Sequence, residues 1–291
     1  RLPRNQREGD LPRIALTTGW ADAVECLLRK IGIDKSEFTP EAGPGRVNLF
    51  AGGRGATDTD RGATAYASDW NNGAPFTVAP DSPGKSDGWW SSLDRLKRYD
   101  LLILSCEGRE NVDQKSPAAR QALYDYVNLG GRVFASHWHN SWLTAGPEPL
   151  QRVASFFPYV EGSEYAQIDA TIDTTTPKGA ALADWMLING GSPSRGVLPI
   201  RQARNSVRSI NAQLTQQFVY YDFLERGDRE VQYFTFNTPV GAAAQQQCGR
   251  MVFTDMHVSG NDPVNYSPNY DISKPSYPFP TGCVTTGLTP Q

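Results

Sequence analysis

The sequence predicts an α/β fold built on a mostly parallel sheet, and two stretches of chain carry that prediction. Tyr99-Asp-Leu-Leu-Ile-Leu-Ser-Cys106 is a short apolar run suited to a buried strand. Residues 116–129 repeat apolar positions at helical spacing, and Arg132-Val-Phe-Ala-Ser-His137 is a second apolar run. A strand, helix, strand unit of this length closes as a right-handed crossover between parallel strands. Near the start, Arg13-Ile-Ala-Leu-Thr-Thr-Gly19 followed by the periodic stretch Ala21 to Ile31 gives strand, turn and helix again.

The elements follow in order. Residues 1–12 are polar and contain proline, which suits a linker, and the α/β domain is expected over 13–260. Residues 41–90 are rich in Gly, Asp, Thr and Pro and hold neither period, so they predict a long loop insertion whose ordering costs backbone entropy. The helix at 116–129 starts at Ser116-Pro117 and stops at Gly130-Gly131. Ala166 to Asp173 alternates like a strand and Lys178 to Leu187 like a helix, while Ser206 to Tyr221 and Val231 to Phe236 suit a more antiparallel section. Gly249-Arg-Met-Val-Phe-Thr-Asp-Met-His257 is the last apolar strand. Residues 261–291, with Pro263, Pro268, Pro275, Pro278 and Pro280, predict an irregular tail packed on the domain.

Composition narrows the function classes. A chain of 291 residues with 39% hydrophobic content can bury a sizeable core. With 28 basic against 31 acidic residues and a net charge of -3, nothing draws it to nucleic acid. No run of about 18 apolar residues is present, so no membrane-spanning helix is expected. Arg1-Leu-Pro-Arg4 reads as the cut end of something longer, and four cysteines among many Gly, Pro, Ser and Thr suggest a secreted or periplasmic protein, part of a larger secreted chain. Cys248 with Cys283 is the preferred disulfide; a pair of free thiols is the alternative.

All three histidines fall at the ends of predicted core strands: His137 and His139 in Ser-His-Trp-His-Asn, and His257 in Asp-Met-His. The carboxyl ends of the strands in an open parallel sheet form the crevice where ligands bind. If strand alternation holds, His137 and His139 face one way, as do Asp255 and His257. A His-x-His pair with a third His, or with Asp255, is then a three-ligand metal set with an open position, and imidazole donors suit Zn or Cu. Histidines that simply bond loop backbone or pack against Trp138 and Trp142 are the plainer alternative.

Cys106-Glu107 brings a second chemistry to the same crevice. A thiol at a strand end beside imidazoles can act as a nucleophile with His137 or His139 as base, and Glu107 as acid, base or orienter. A buried small side chain, or a pair with Cys26, is the structural alternative for Cys106. Trp20, Trp89, Trp90, Trp138 and Trp142 come from segments that reach the crevice, and Trp70 lies in the insertion. Tryptophans stack on sugar rings, which suggests a saccharide or other polymer as substrate; a hydrophobic minicore under the insertion explains them equally well.

Tyr99-Asp-Leu-Leu-Ile-Leu, Ala122-Leu-Tyr-Asp-Tyr-Val and Gly130-Gly-Arg-Val-Phe-Ala-Ser-His137 resemble the pattern of ThuA-like proteins of the class I glutamine amidotransferase-like superfamily, and Gly249 to His257 is similar to that family's closing strand. The resemblance implies a flavodoxin-like domain with helices on both faces of the sheet and the crevice at His137 and His257. In glutamine amidotransferases the nucleophilic cysteine sits at the turn that His137 occupies here, so the glutaminase reaction is not implied. The whole chain is also similar to a group of secreted myxobacterial-type proteins, in which the Leu2 to Asp10 stretch follows a small β-rich module and Cys-Glu-Gly, Ser-His-Trp-His and Asp-Met-His recur; no activity comes with that resemblance.

The leading expectation is therefore a secreted enzyme with a transition metal on His137, His139 and His257, hydrolysing a saccharide or other polymer through a metal-activated water, or acting oxidatively if the metal is copper. A metal-independent Cys106–His thiol hydrolase and a non-catalytic glycan-binding or matrix-binding module are the alternatives.

Overall fold

Ile14-Ala-Leu-Thr17 forms the first strand, β1, and all four residues are buried, as parallel strands covered on both faces must be. The computed structural model describes residues 3–19, 22, 24–53, 76–157, 164–223 and 228–257. After β1 come helix α1 (Val24–Lys30), β2 (Phe38–Thr39), β3 (Val47–Phe50), β4 (Leu101–Leu104), α2 (Pro117–Asn128) and β5 (Arg132–Ser136). Beyond these lie β6 (Ala154–Phe156), β7 (Glu164–Ile172), α3 (Pro177–Ile188), β8 (Val197–Arg204), β9 (Val207–Ile210), β10 (Thr215–Phe223), β11 (Asp228–Thr238) and β12 (Gly249–Thr254).

Ten strands form one sheet in the order β2-β3-β1-β4-β5-β12-β11-β10-β7-β8. From β2 to β12 the neighbours are parallel, and from β12 to β8 they are antiparallel. The fold is α/β with a large mixed sheet, as the sequence predicts. Side chains alternate between two cores: Leu102 and Leu104 pack with Leu123, Tyr126 and Val127 of α2, while Ile103 joins Ile14, Leu16, Val24 and Leu28 on the other face. Each fully buried Leu contributes about 1.5–3 kcal/mol, so this alternation fixes which way every strand faces. A third cluster, around Ile168, Ile172, Ala183 and Phe218, lies between the antiparallel strands and α3.

The capping signals at α2 are realised: the Ser116 hydroxyl accepts from the Ala119 amide at 3.2 Å, and Gly130 after the helix has φ +103°. Two expectations need correction. Residues 41–90 are not wholly an insertion, because Val47-Asn-Leu-Phe50 is β3, buried between β2 and β1; four residues among glycines and prolines are too few to register as a period. Nor do residues 3–12 merely lead in, since the Asp34 amide donates to the Arg4 carbonyl at 2.8 Å and the Gln6 amide to Glu37 at 2.9 Å. The tail, Trp20, Trp70 and Cys283 lie outside the described residues, as does the side chain of Cys26. Cys248 is exposed, its thiol 3.6 Å from the Asn128 carbonyl. Among the described residues no helix is long and apolar enough to cross a membrane.

Candidate functional site

Strands β4, β5 and β12 are consecutive neighbours in the parallel half, so their carboxyl ends open side by side. Cys106 lies two residues past β4, His137 directly follows β5, and His257 lies three residues past β12. The thiol of Cys106 is 3.3 Å from His137 Nδ1, and the imidazoles of His137 and His257 stack with centroids 4.1 Å apart and planes 22° from parallel. One donor atom from each of the three residues falls within 4.8 Å of the others. Cys106 and His137 are buried and His257 nearly so.

A carboxylate completes the group. Asp22, in the loop between β1 and α1, accepts from His257 Nδ1 at 2.8 Å through one oxygen and from the Ser136 hydroxyl at 2.9 Å through the other. Because a carboxylate only accepts, this bond puts a proton on His257 Nδ1, and in the neutral ring it leaves Nε2 as the lone-pair nitrogen. Asp22 lies on a loop of no period, and its one sequence signal is that it follows the strand beside β4. The approach is close there: a Cβ on Gly19 would lie 2.2 Å from the Cys106 carbonyl oxygen, so only glycine lets the two loops meet.

His137 has φ +52°, a left-handed conformation that costs a non-glycine residue on the order of 1–3 kcal/mol. The strand ends at Ser136 and the chain turns into a single 3-10 turn, His137–Asn140. This turn overturns the expected pairing of His137 with His139, because strand alternation stops one residue too early. His139 is instead spent on structure: Nε2 donates to the Ser105 carbonyl at 2.7 Å and Nδ1 accepts from Trp142 Nε1 at 3.0 Å. Burial, aided by the Lys115 charge and opposed by Glu107, pushes its pKa down to about 4. His139 is a neutral core histidine with no nitrogen left for a metal.

Asp255 is corrected for the same reason. β12 ends at Thr254, and the Asp255 carboxylate accepts from the Ser206 amide at 2.7 Å, the Ser206 hydroxyl at 2.6 Å and the Val207 amide at 3.2 Å, which fastens β9 rather than joining His257. Burial pushes its pKa up to about 7 against the opposing charge of Arg204. Glu107 is also occupied: it pairs with the buried Lys115 at 2.8 Å and accepts from Asn111 and from the Gly53 amide at 2.8 Å. Burial pushes Glu107 up, but Lys115 foremost outweighs it and holds the carboxyl below its usual range. A Cβ on Gly53 would lie 2.6 Å from that carboxylate.

The tryptophans divide against the stacking expectation. Trp89, Trp90 and Trp142 are each 1% exposed. Trp89 stacks on Phe50 at 4.0 Å, Trp90 meets Trp142 edge-on at 5.1 Å, and Lys115 lies over both Trp90 and Trp142. Rings packed so deeply present no face to a sugar; they belong to the same core as Leu102, Leu104 and helix α2. Trp138 is 8% exposed and carries the Arg204 guanidinium on its face at 3.5 Å.

No family model matches the chain, and no curated protein matches it. Among solved structures it is similar to the cytoplasmic protein STM3548 from Salmonella typhimurium, at 13% identity and a TM-score of 0.40, covering 90% of this chain and 95% of that one. A putative ThuA-like protein from Bacteroides uniformis matches at 11% identity and a TM-score of 0.38, over 91% of this chain and 89% of the other. The N-terminal domain of mmIFT52 matches at 9% identity and a TM-score of 0.37, over 62% and 77%.

Proposed function

We propose that Cys106, His137 and His257 are the ligands of a transition metal ion and that the protein is a metal-dependent hydrolase on a ThuA-like scaffold. The observation that carries this reading is the convergence of three donor atoms within 4.8 Å from three neighbouring strand ends, with Asp22 bonded to the outer nitrogen of one imidazole. A carboxylate behind a ligating histidine is the usual way that a protein fixes the ring and raises its basicity. In a tetrahedral zinc site the sulfur and nitrogen donors stand about 3.5 Å apart, close to the 3.3 Å between Cys106 and His137.

One thiolate and two imidazoles are a donor set for zinc or copper. Three protein ligands leave one position for water, whose pKa zinc lowers to about 7, so hydrolysis is the chemistry the set supplies. Ligation also protects Cys106 from oxidation, in keeping with a secreted or periplasmic location. With Trp89, Trp90 and Trp142 buried, a saccharide has lost its main support as substrate. Elemental analysis of protein purified without a chelator or histidine tag tests the reading: one equivalent of zinc supports it and none refutes it.

The stacked rings favour a second reading. An ion lies in the plane of each imidazole that binds it, so rings only 22° from parallel must turn before they share one. As they stand, the Cys106 thiol touches His137, and the Gly108 amide donates to the sulfur at 3.4 Å, the arrangement of a thiolate nucleophile and its base. Alkylation of Cys106 separates the two: it abolishes a thiol hydrolase outright, whereas bound zinc shields the thiol from the reagent.

A further inference from the structure

Arg204 stands at the end of β8, in the antiparallel half of the sheet, yet its side chain is buried against the turn that carries His137. We infer that Arg204 is the positioning residue that holds the strained His137 turn against Cys106, an inference that rests on the metal-site reading for its importance to function. Four contacts define the arrangement. The guanidinium lies on the face of Trp138, 3.5 Å from the ring centroid. Its Nη1 is 3.2 Å from Asn140 Oδ1 and 3.5 Å from the His137 carbonyl oxygen, and Nη2 is 3.9 Å from Glu110 Oε1. Every residue from 137 to 140 except His139 is therefore touched by one planar group.

The far side of the guanidinium ties the turn to the segment that follows Cys106. Asn140 Nδ2 donates to Glu110 Oε1 at 2.8 Å, and the Glu110 carbonyl accepts from Lys115 at 2.6 Å and from the Ser141 hydroxyl at 3.2 Å. Arg204 is itself held from behind: its amide donates to the Asp255 carbonyl at 3.0 Å, and its carbonyl accepts from Gln232 at 2.9 Å. A residue with φ +52° relaxes toward ordinary backbone unless its surroundings hold it, and the loop carbonyl and ring beside His137 are held by Arg204. A rigid fork that stacks and bonds at once is what arginine supplies and lysine does not.

The test compares wild type with Arg204→Met and Arg204→Lys, using two readouts. In the metal-free protein, NMR records the ring-current shifts that the stacked imidazoles of His137 and His257 impose on each other. Both variants are expected to move these toward values for free histidine, with the rest of the spectrum retained. Zinc affinity, measured by competition with a chromophoric chelator, is expected to fall about 10- to 100-fold in both. Unchanged shifts in either folded variant would overturn the inference. If wild type binds no zinc while the shifts still move, the metal reading fails and the positioning role of Arg204 stands. Should both variants fail to fold, Asn140→Ala, which removes one bonded corner of the fork, is expected to move the same shifts in the same direction, and shifts left in place would overturn the inference.

Discussion

Asp22 Oδ1 accepts a hydrogen bond from His257 Nδ1 at 2.8 Å, although 235 positions of sequence separate the two residues. This bond ties the loop after β1 to the end of β12, and with the Ser136 hydroxyl on its other oxygen Asp22 is held on both sides. If the pair orients a metal ligand, Asp22→Ala weakens zinc about 10- to 100-fold while leaving Cys106 and His137 in place, as chelator competition will show. An unchanged affinity would remove Asp22 from the site.

His139 and His137 are expected to separate cleanly on substitution. His139→Phe breaks two buried hydrogen bonds and lowers unfolding free energy by roughly 1–3 kcal/mol, yet the folded variant keeps its zinc. His137→Gly loses the zinc with a smaller change in stability, because glycine also relieves the left-handed backbone. Denaturant unfolding and metal analysis on the same samples read both effects.

Acid should destabilise the protein through His139. Its pKa is about 4 when folded and 6.5 when free, so below pH 6.5 the unfolded chain takes up a proton that the folded chain refuses. Stability is therefore lost as pH falls from 6.5 toward 4, by about 3 kcal/mol at most from this residue. The loss will be absent in His139→Phe, as urea unfolding at a series of pH values can check.

Glu25 acts in the opposite direction. Burial, with the Asp22 charge adding to it, pushes its pKa up to about 8, so it is protonated in the fold while the unfolded chain ionises from 4.5. Stability from this group is complete below pH 4.5 and lost as pH rises through 8. Glu25→Gln removes that loss, so the variant's advantage over wild type should grow between pH 4.5 and 8 and then level off.

The buried tryptophans should behave as core. Trp89→Ala is expected to cost about 3–5 kcal/mol of stability, in line with its stack on Phe50 and edge contact with Tyr99. Selective loss of glycan binding in a folded Trp89 or Trp142 variant of unchanged stability would reinstate the stacking role.

Much of the frame was legible because buried parallel strands and a capped helix leave local signals: β1, β4, α2, β5 and β12 all coincide with apolar runs or helical periods. Strand ends alone pointed to one crevice for His137, His257 and Cys106, although the expected metal set was the three histidines, with Cys106 as the nucleophile of a separate reading. What failed was the extension of strand alternation past Ser136 and Thr254, where the chain leaves the sheet; that error wrongly recruited His139 and Asp255. Asp22 and Arg204 were invisible for another reason: each reaches the site from a distant element through tertiary packing, which no local period records. The buried rings of Trp89, Trp90 and Trp142 could not be told from exposed ones, because burial of an aromatic in a non-periodic segment depends on what folds over it.

Cobalt substitution tests the central claim most directly. Metal-free protein titrated with Co2+ should develop, at one equivalent, a near-ultraviolet band from thiolate-to-metal charge transfer together with intense visible bands of a four-coordinate ion. The charge-transfer band should vanish in Cys106→Ser and persist in His139→Phe. No band in wild type, or a band that survives in Cys106→Ser, would contradict the account and leave Cys106 and His137 as a thiol and its base.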